Sequence, residues 1–360
     1  MIYVTKSFLP PIEEYEEKLK GIWDSCYMTN YGPLLREFEA EMKKRLSVKN
    51  FQFVTNGTLA LQIALHALDI DGGEVITTPF SYVATTSSIL WERCEPVFVD
   101  IEPDNFTIDP NKIEAAITPR TKAIMPVHVF GYACDIDRIR KIADKHNLKV
   151  IYDAAHAFGS VYKGKSLCSF GDISMLSFHA TKLFHTIEGG AVVVNNDNVD
   201  QKFDLSKRFG HFEGDDHRQL GINAKASEFQ AAMGLCNLKY VDEIIAQRKQ
   251  VSEWYDKYLE GAVGRPKEQK DLQYNYAYYP ILLKDENQLF KVIPALKEAG
   301  ALARRYFWPS LNNLPYLKEK QSCPVSENIS SRVLSIPLYP DLPEDDVKCI
   351  SETIREIVHV

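Results

Sequence analysis

Short apolar runs alternate with helical patterns between residues 50 and 195. Apolar positions recur at helical spacing over residues 58–68 and 136–146, between these runs. Several of the runs are apolar without polar alternation, which is typical of strands covered on both faces. The pattern predicts an α/β domain with a mainly parallel sheet and helices on both sides. Seven strands are predicted, at residues 51–55, 74–78, 96–100, 123–128, 149–153, 173–178 and 191–195.

A different pattern occupies the last third of the chain. Apolar positions near helical spacing predict one long helical stretch over residues 227–259. After a loop-like segment, strands and helices resume at residues 278–283, 292–299 and 345–358. We therefore predict an N-terminal segment with a large domain over residues 1–244, and a smaller C-terminal α+β domain over residues 245–360.

Composition narrows the class of protein. The chain of 360 residues has a net charge of −7, which gives no reason to expect a nucleic acid partner or a polybasic membrane contact. Its seven cysteines form no C-x-x-C pair, so they favour reduced thiols over a disulfide framework or a metal site. No run approaches the roughly 18 apolar residues of a membrane span, and no signal peptide pattern is visible. The expectation is a soluble cytoplasmic protein without a metal.

Lys182 is the first candidate for chemistry. It follows the predicted strand at residues 173–178 and precedes the glycine pair Gly189 and Gly190. An amine at the end of a buried strand, near hydroxyls and glycines, suits a lysine that forms a Schiff base with an aldehyde cofactor. The alternative is a solvated surface lysine, which is the usual environment of this residue type.

Two further candidates lie at the end of another predicted strand. Asp153 ends the strand at residues 149–153, and His156 follows three residues later. A carboxylate there suits a facing pyridinium nitrogen, which it keeps protonated so that the ring accepts electrons from a carbanion. His156 suits donation to the phenolic oxygen of the same ring. The alternatives are a cap or turn for the aspartate and a structural role for the histidine.

A phosphate site is predicted where a strand leads into an apolar helix. Gly57 allows close backbone approach, the amides of the first helical turn point outward, and Thr58 adds a hydroxyl. Ser177 is a second hydroxyl donor, and Tyr82 is a candidate for stacking on a pyridine ring. The alternatives are an ordinary helix cap for Thr58 and core packing for Tyr82. With the lysine and the aspartate, these residues predict a pyridoxal phosphate (PLP) site.

An ordered set of motifs extends over nearly the whole chain. The motifs lie at residues 29–33, 56–58, 153–156, 177–182, 188–190, 221–223, 228–232 and 336–340. With this set the chain resembles the DegT-type nucleotide-sugar aminotransferases. The resemblance implies an aspartate aminotransferase-like fold, fold type I of PLP enzymes. It also implies PLP as the cofactor, with pyridoxamine phosphate in the second half-reaction.

The resemblance implies one role for each candidate residue. Lys182 forms the Schiff base and is the catalytic residue. Asp153 meets the pyridine nitrogen and His156 the phenolic oxygen. Tyr82 takes the ring-stacking place, where other members carry Trp or Phe. The phosphate positions fall on Gly57, Thr58 and Ser177.

Asn223 matches an asparagine that, in the family, reaches the phosphate from the neighbouring subunit. The resemblance therefore implies a homodimer with shared active sites. His185 and Tyr31 are further candidates for sugar contacts, with structural roles as the alternative.

The resemblance also addresses the reaction. Family members that act as dehydratases replace the lysine by histidine, so Lys182 favours an aminotransferase. Residues 178–180 and 188–190 look like those of the 4-keto-sugar group, and residues 4–11 and 221–225 resemble members that aminate a dTDP-sugar. The implied reaction moves the amino group of L-glutamate to C4 of dTDP-4-dehydro-6-deoxy-D-glucose. The expected product is dTDP-4-amino-4,6-dideoxy-D-glucose, a precursor for surface polysaccharide such as O-antigen.

Three other readings stay open at this point. Amination at C3 of a dTDP-3-keto-6-deoxyhexose is the nearest enzymatic alternative. A non-catalytic PLP-binding sensor or regulator belongs to another class. An α/β protein without a cofactor is the third reading, and the matching chemistry at so many separate strand ends argues against it.

Overall fold

Helices and strands alternate along the chain in the computed structural model, which describes residues 1–358. The helices are α1 (Ile12–Ser25), α2 (Pro33–Leu46), α3 (Gly57–Ala67), α4 (Ala84–Trp91), α5 (Pro110–Ile113), α6 (Ile136–His146), α7 (Asp197–Ser206), α8 (Glu228–Leu238), α9 (Val241–Tyr258), α10 (Glu286–Glu298), α11 (Pro324–Arg332) and α12 (Glu344–Val358). The strands are β1 (Phe51–Val54), β2 (Glu74–Thr77), β3 (Glu95–Phe98), β4 (Thr121–Met125), β5 (Lys149–Asp153), β6 (Val161–Tyr162), β7 (Lys165–Ser166), β8 (Ile173–Ser177), β9 (Gly190–Val194), β10 (Leu272–Gln273), β11 (Tyr279–Leu282) and β12 (Val333–Ile336).

All seven strands predicted from the sequence lie in one sheet, in the order β1-β9-β8-β5-β4-β2-β3. The strands from β8 to β3 in this order pair in parallel. Strand β9 runs antiparallel to both of its neighbours, β8 and β1. The predicted α/β class with a mainly parallel sheet is confirmed. The largest displacement of a strand end is at β4, which was predicted at residues 123–128.

The sheet is buried on both faces, as the unbroken apolar runs indicated. Along β5, Val150 and Tyr152 belong to one hydrophobic core, whereas Ile151 belongs to a second core on the opposite face. Successive side chains of a strand point to opposite faces, so both faces of β5 carry apolar contacts. Burial of this kind explains why the strands lack polar alternation.

Local capping signals set the start of several helices. Helix α6 has the predicted bounds, and the Asp135 side chain accepts a hydrogen bond from the Arg138 amide at its first turn. Helix α8 begins with a capping box in which Ser227 and Gln230 exchange hydrogen bonds with each other's backbone amides.

The long helical stretch predicted over residues 227–259 is wrong in one respect, because it is two helices. Helix α8 ends at Leu238, and α9 begins at Val241. Between them Tyr240 leaves the helical conformation, with φ −103° and ψ 0°. Its ring packs against Phe8 at 5.2 Å between ring centroids. Tyr240, at the break, therefore contacts a residue 232 positions away, and local spacing does not encode that contact.

The C-terminal residues build a separate hydrophobic core around a two-stranded sheet. Strand β11 pairs antiparallel with β12, and helices α10 and α12 pack against each other. Helix α9 contributes side chains to a core of the large sheet and to the C-terminal core. Ile244 lies in the former, and Val251 and Tyr255 lie in the latter. The predicted division between residues 244 and 245 thus falls inside a continuous helix.

Two sequence expectations concern features outside the sheet. Within residues 1–358, no helix is long and apolar enough to cross a membrane. All seven cysteines carry free thiols, and Cys26 and Cys349 are exposed.

Candidate active site

A cavity of about 330 Å³ lies where the carboxyl ends of β5 and β8 meet the first turn of α3. Ligands of parallel α/β sheets gather at this edge because helix N-termini and strand ends converge there. Seven of the eight predicted cofactor residues line the cavity, namely Gly57, Thr58, Tyr82, Asp153, His156, Ser177 and Lys182.

The first turn of α3 forms one end of the cavity. The Asn56 side chain accepts a hydrogen bond from the Leu59 amide at 2.9 Å, which leaves the amides of Gly57 and Thr58 at the open helix end. A Cβ atom on Gly57 would lie 3.0 Å from the Met175 sulfur and 3.4 Å from Cβ of Ser177. Two of the three predicted phosphate positions, at residues 57 and 177, are therefore spatial neighbours.

The packing around Gly190 explains why a glycine is needed at this position after the lysine. A Cβ atom on Gly190 would stand 2.3 Å from the carbonyl carbon of Asn56 and 2.5 Å from the Gly57 nitrogen. A real Cβ does not fit at such distances, so the start of β9 packs backbone to backbone against the turn that opens α3. The glycine shapes the site without lining it.

Asp153 is buried beneath the cavity. One carboxylate oxygen accepts a hydrogen bond from the Thr85 hydroxyl at 2.7 Å, and the other accepts one from the Ala155 amide at 3.1 Å. Burial raises the pKa of Asp153, while these hydrogen bonds and the charge of Lys182 lower it. Within residues 1–358 the carboxylate has no ion pair.

His156 is held in one orientation by its Nδ1 atom. This nitrogen accepts a hydrogen bond from the Phe130 amide at 3.1 Å, so the ring proton of a neutral histidine resides on Nε2. Burial, with a smaller contribution from Lys182, holds the pKa of His156 well below its usual range. Phe307 stacks on the imidazole with 5.6 Å between ring centroids. His156 is therefore a neutral hydrogen-bond donor at Nε2.

Lys182 lies in the turn that follows β8. Its amide donates to the carbonyl of His179 at 2.9 Å, and the Ser7 hydroxyl donates to the carbonyl of Ala180 at 2.6 Å. The Nζ atom is 3.5 Å from the Tyr278 hydroxyl. No carboxylate within residues 1–358 lies in ion-pair distance of this amine, so Lys182 does not form a structural salt bridge.

Tyr82 and Asn223 occupy more open positions. Tyr82 lies between β2 and α4, and 60% of its side chain is exposed while it lines the cavity. Asn223 is exposed and accepts a hydrogen bond from the Lys225 amine at 2.8 Å. It does not line the cavity of its own chain.

The cavity also contains residues that the sequence reasoning missed. Thr85, beneath it, lies in the first turn of α4, and no motif in the sequence marked it as a partner of Asp153. Tyr278, Arg304, Tyr306 and Phe307 come from the C-terminal part of the chain, where no local motif marked them. They complete the lining of the cavity.

His185 and Tyr31, considered above for sugar contacts, lie elsewhere. His185 is buried; its Nε2 lies 2.6 Å from the carbonyl of Phe8, and its Nδ1 accepts from the Ile187 amide. The Tyr31 hydroxyl donates to Asp204. Neither residue lines the cavity of its own chain.

Solved structures with this architecture include the sugar aminotransferase CalS13 from Micromonospora echinospora, with a TM-score of 0.92 and 28% identity, covering 99% of this chain and 100% of that one. The chain superposes on DesI, solved in the presence of its TDP-sugar product, with a TM-score of 0.93 and 33% identity, covering 99% of this chain and 93% of that one. It superposes on S. venezuelae DesV, solved in complex with a ketimine intermediate, with a TM-score of 0.91 and 27% identity, covering 97% and 95%. The fold and the cavity therefore define an aminotransferase of PLP fold type I.

The family follows from the sequence match. The model of the DegT/DnrJ/EryC1/StrS aminotransferase family matches residues 11–355, and the chain belongs to this family. It is 42% identical to a dTDP-4-amino-4,6-dideoxy-D-glucose transaminase of Shigella dysenteriae, over 99% of each chain. It is 38% identical to an Escherichia coli protein of the same name, over 98% of each chain. A GDP-perosamine synthase of Escherichia coli O157:H7 is 35% identical, over 95% of this chain and 94% of that protein.

Proposed function

We propose that the cavity holds PLP and that the protein aminates C4 of dTDP-4-dehydro-6-deoxy-D-glucose with L-glutamate as donor. The observation that carries this proposal is the convergence of seven candidate residues, from four separate stretches of chain, on one cavity. The 42% identity to a transaminase of that product supports the choice of sugar.

The residues present fit PLP. The buried carboxylate of Asp153, which has no ion pair among residues 1–358, suits a protonated ring nitrogen that lowers the cost of burying the charge. The open helix end at Gly57 and Thr58, with Ser177 beside it, suits a phosphate. The Nε2 proton of His156 suits a phenolic oxygen acceptor. Tyr82, exposed by 60%, has a ring face available for stacking.

When bound, PLP supplies an electron sink that stabilises negative charge at the carbon being deprotonated. The chain supplies the proton transfers. Lys182 Nζ binds the cofactor covalently and, once released, accepts a proton from the donor carbon and returns it as general acid. Asp153 keeps the ring nitrogen protonated, and His156 fixes the ring by a neutral hydrogen bond.

The donor carboxylate needs a cation in the same cavity. Arg304 is the guanidinium that lines the cavity; its side chain is exposed and has no ion pair among residues 1–358. Its backbone is anchored, because the amides of Arg304 and Ser335 each donate to the other's carbonyl. A guanidinium binds a carboxylate with two parallel hydrogen bonds. Arg304 is therefore our candidate for binding the carboxylate of L-glutamate.

The proposal includes a homodimer. Asn223 is exposed and outside its own cavity, which suits a role in the cavity of a second copy. Exposed apolar side chains nearby, at Ile187, Phe209, Leu220 and Ile222, support a contact surface in the same region. Each active site then requires two chains, as the family resemblance implied.

The test is to determine where nitrogen enters the sugar. Purified protein, PLP and L-glutamate are incubated with dTDP-4-dehydro-6-deoxy-D-glucose or with a dTDP-3-keto-6-deoxyhexose, and the product is analysed by NMR. We expect an amine at C4 together with 2-oxoglutarate. An amine at C3 would support the alternative sugar. A PLP absorbance band that glutamate leaves unchanged would support a sensor instead of an enzyme.

A further inference from the structure

Tyr278 has a hydroxyl in the cavity that the chemistry above does not use. Its side chain is buried, and its oxygen lies 3.5 Å from Nζ of Lys182. The same amine is 6.0 Å from the centre of the tyrosine ring. The ring meets the His156 imidazole edge-on, with 4.9 Å between ring centroids. Tyr278 therefore contacts the reactive amine and the histidine at the same time.

The backbone around Tyr278 is fixed to the wall of the cavity by two preceding side chains. The Tyr274 hydroxyl is 3.0 Å from the carbonyl of Phe130 and 3.1 Å from the carbonyl of Tyr278 itself. The Asn275 amide nitrogen donates to the carbonyls of His156 at 2.7 Å and Phe158 at 2.8 Å. These bonds join residues 274–278 to the loop that carries His156.

A buried arginine holds the same segment from the other side. Arg248 of α9 donates through Nε to the carbonyl of Tyr276 at 2.8 Å and through Nη2 to the carbonyl of Ala277 at 2.6 Å. It has no carboxylate partner among residues 1–358, so its hydrogen bonds serve the backbone of this segment. Burying an arginine for two carbonyls is costly, which indicates that the position of the segment matters.

We infer that Tyr278 is a further catalytic residue, whose hydroxyl positions the free amine of Lys182, and that the side chains of Tyr274, Asn275 and Arg248 hold it there. The inference rests on the proposed function. With one N–H directed to the phenolic oxygen, the nitrogen lone pair of the neutral amine has a restricted set of directions. The present 3.5 Å separation is at the long end for a hydrogen bond, and such contacts shorten when the site is loaded.

The step that depends on this orientation is covalent capture of the cofactor aldehyde. The amine nitrogen of Lys182 forms two bonds to the aldehyde carbon. The aldehyde oxygen leaves as water, taking the two hydrogens of the neutral amine, and no oxidation or reduction occurs. A hydroxyl that orients the nitrogen accelerates this step without contributing to binding of the phosphate or the ring.

The test compares covalent capture with non-covalent affinity in cofactor-free, full-length protein. Capture is followed by the absorbance change after mixing with PLP, and its position is mapped by borohydride reduction and peptide mass analysis. Non-covalent affinity is measured with pyridoxamine phosphate, which has no aldehyde. Tyr278→Phe keeps the ring and removes the hydroxyl. Tyr276→Phe makes the same change in the same segment but outside the cavity, and serves as the matched control.

We expect Tyr278→Phe to capture PLP about two- to tenfold more slowly, because it lacks one hydrogen bond to the amine. Its affinity for pyridoxamine phosphate should be unchanged. Tyr276→Phe should match the wild type in both measurements. Equal capture rates in the wild type and Tyr278→Phe would overturn the inference, and so would a parallel loss of affinity, which indicates a structural role. A wild-type protein without an adduct at Lys182 would instead contradict the proposed function.

Discussion

The Thr85 hydroxyl donates a hydrogen bond to the Asp153 carboxylate at 2.7 Å, beneath the floor of the cavity. The Ser81 hydroxyl in turn lies 2.8 Å from that of Thr85, and all three side chains are buried. Two hydroxyls thus orient one carboxylate oxygen, but neither carries a charge to neutralise it. The cofactor-free protein therefore bears the cost of this buried carboxylate, and a protonated ring nitrogen relieves it.

The first prediction concerns the pH dependence of stability. Burial raises the pKa of Asp153 in the folded protein above its unfolded value. The stability that the protonated form of Asp153 contributes to the folded protein is therefore fully present below the unfolded pKa. It is lost as the pH rises through the folded pKa. We expect Asp153→Asn, in the cofactor-free state, to be more stable than the wild type at neutral pH and to lack this part of the pH dependence.

Urea unfolding measured from about pH 4 to about pH 8 checks this expectation, because the range extends upward from the ordinary pKa of aspartate. Thr85→Val removes a hydrogen bond that lowers the pKa of Asp153. The pH range over which this variant loses stability should therefore lie higher than that of the wild type. Stability curves that run parallel for the wild type and Asp153→Asn would argue against an ionised, buried carboxylate.

The second prediction concerns Arg304. Replacing it by glutamine removes the charge that we assign to the donor carboxylate. We expect kcat/KM for L-glutamate to fall about 10- to 100-fold, because the variant loses a charge-assisted hydrogen bond to the donor carboxylate. The change in kcat/KM for the keto sugar should be smaller. Single-turnover absorbance of the two half-reactions separates these effects. Arg304→Lys should recover part of the activity, and an unaffected glutamate half-reaction would exclude Arg304 from donor binding.

The third prediction tests the shared active site. Lys182→Ala and Asn223→Ala should each be strongly impaired as pure proteins. Mixed dimers contain one intact site if Asn223 acts in the cavity of its neighbour, so co-expression of the two variants should restore about a quarter of wild-type activity. Mixing them should restore nothing if Asn223 serves its own chain. Activity of affinity-tagged mixed dimers measures the difference.

The fourth prediction concerns Gly190. An alanine there would place Cβ within 2.5 Å of the backbone at Asn56 and Gly57, so the turn that opens α3 has to move. We expect Gly190→Ala to lower the free energy of unfolding by about 1–3 kcal/mol, the usual cost of overpacking, and to weaken PLP binding. Gly164→Ala is a useful comparison, because no atom lies within 4 Å of its added Cβ and only its positive φ opposes the change. A Gly190→Ala protein with wild-type affinity for PLP would show that the turn does not bind the phosphate.

Much of the cavity was accessible from local sequence. Asp153, Ser177 and Lys182 each end or follow an apolar strand, and Gly57 opens an apolar helix, so a parallel sheet brings them to one edge. Tyr278 and Arg304 had no such marker, because they come from the C-terminal part of the chain, far in sequence from the strand ends that they meet at the cavity.

The sequence by itself determined the seven strands of the large sheet, the start of α3 and the chemistry at the strand ends. These features depend on local periodicity and capping, and each occupies a short stretch of chain. Tertiary structure alone decided the contact of Tyr240 with Phe8, the buried partner Thr85 of Asp153, and the approach of Tyr278 to Lys182. Those relationships join residues 68 or more positions apart, so they arise only when separate elements pack together.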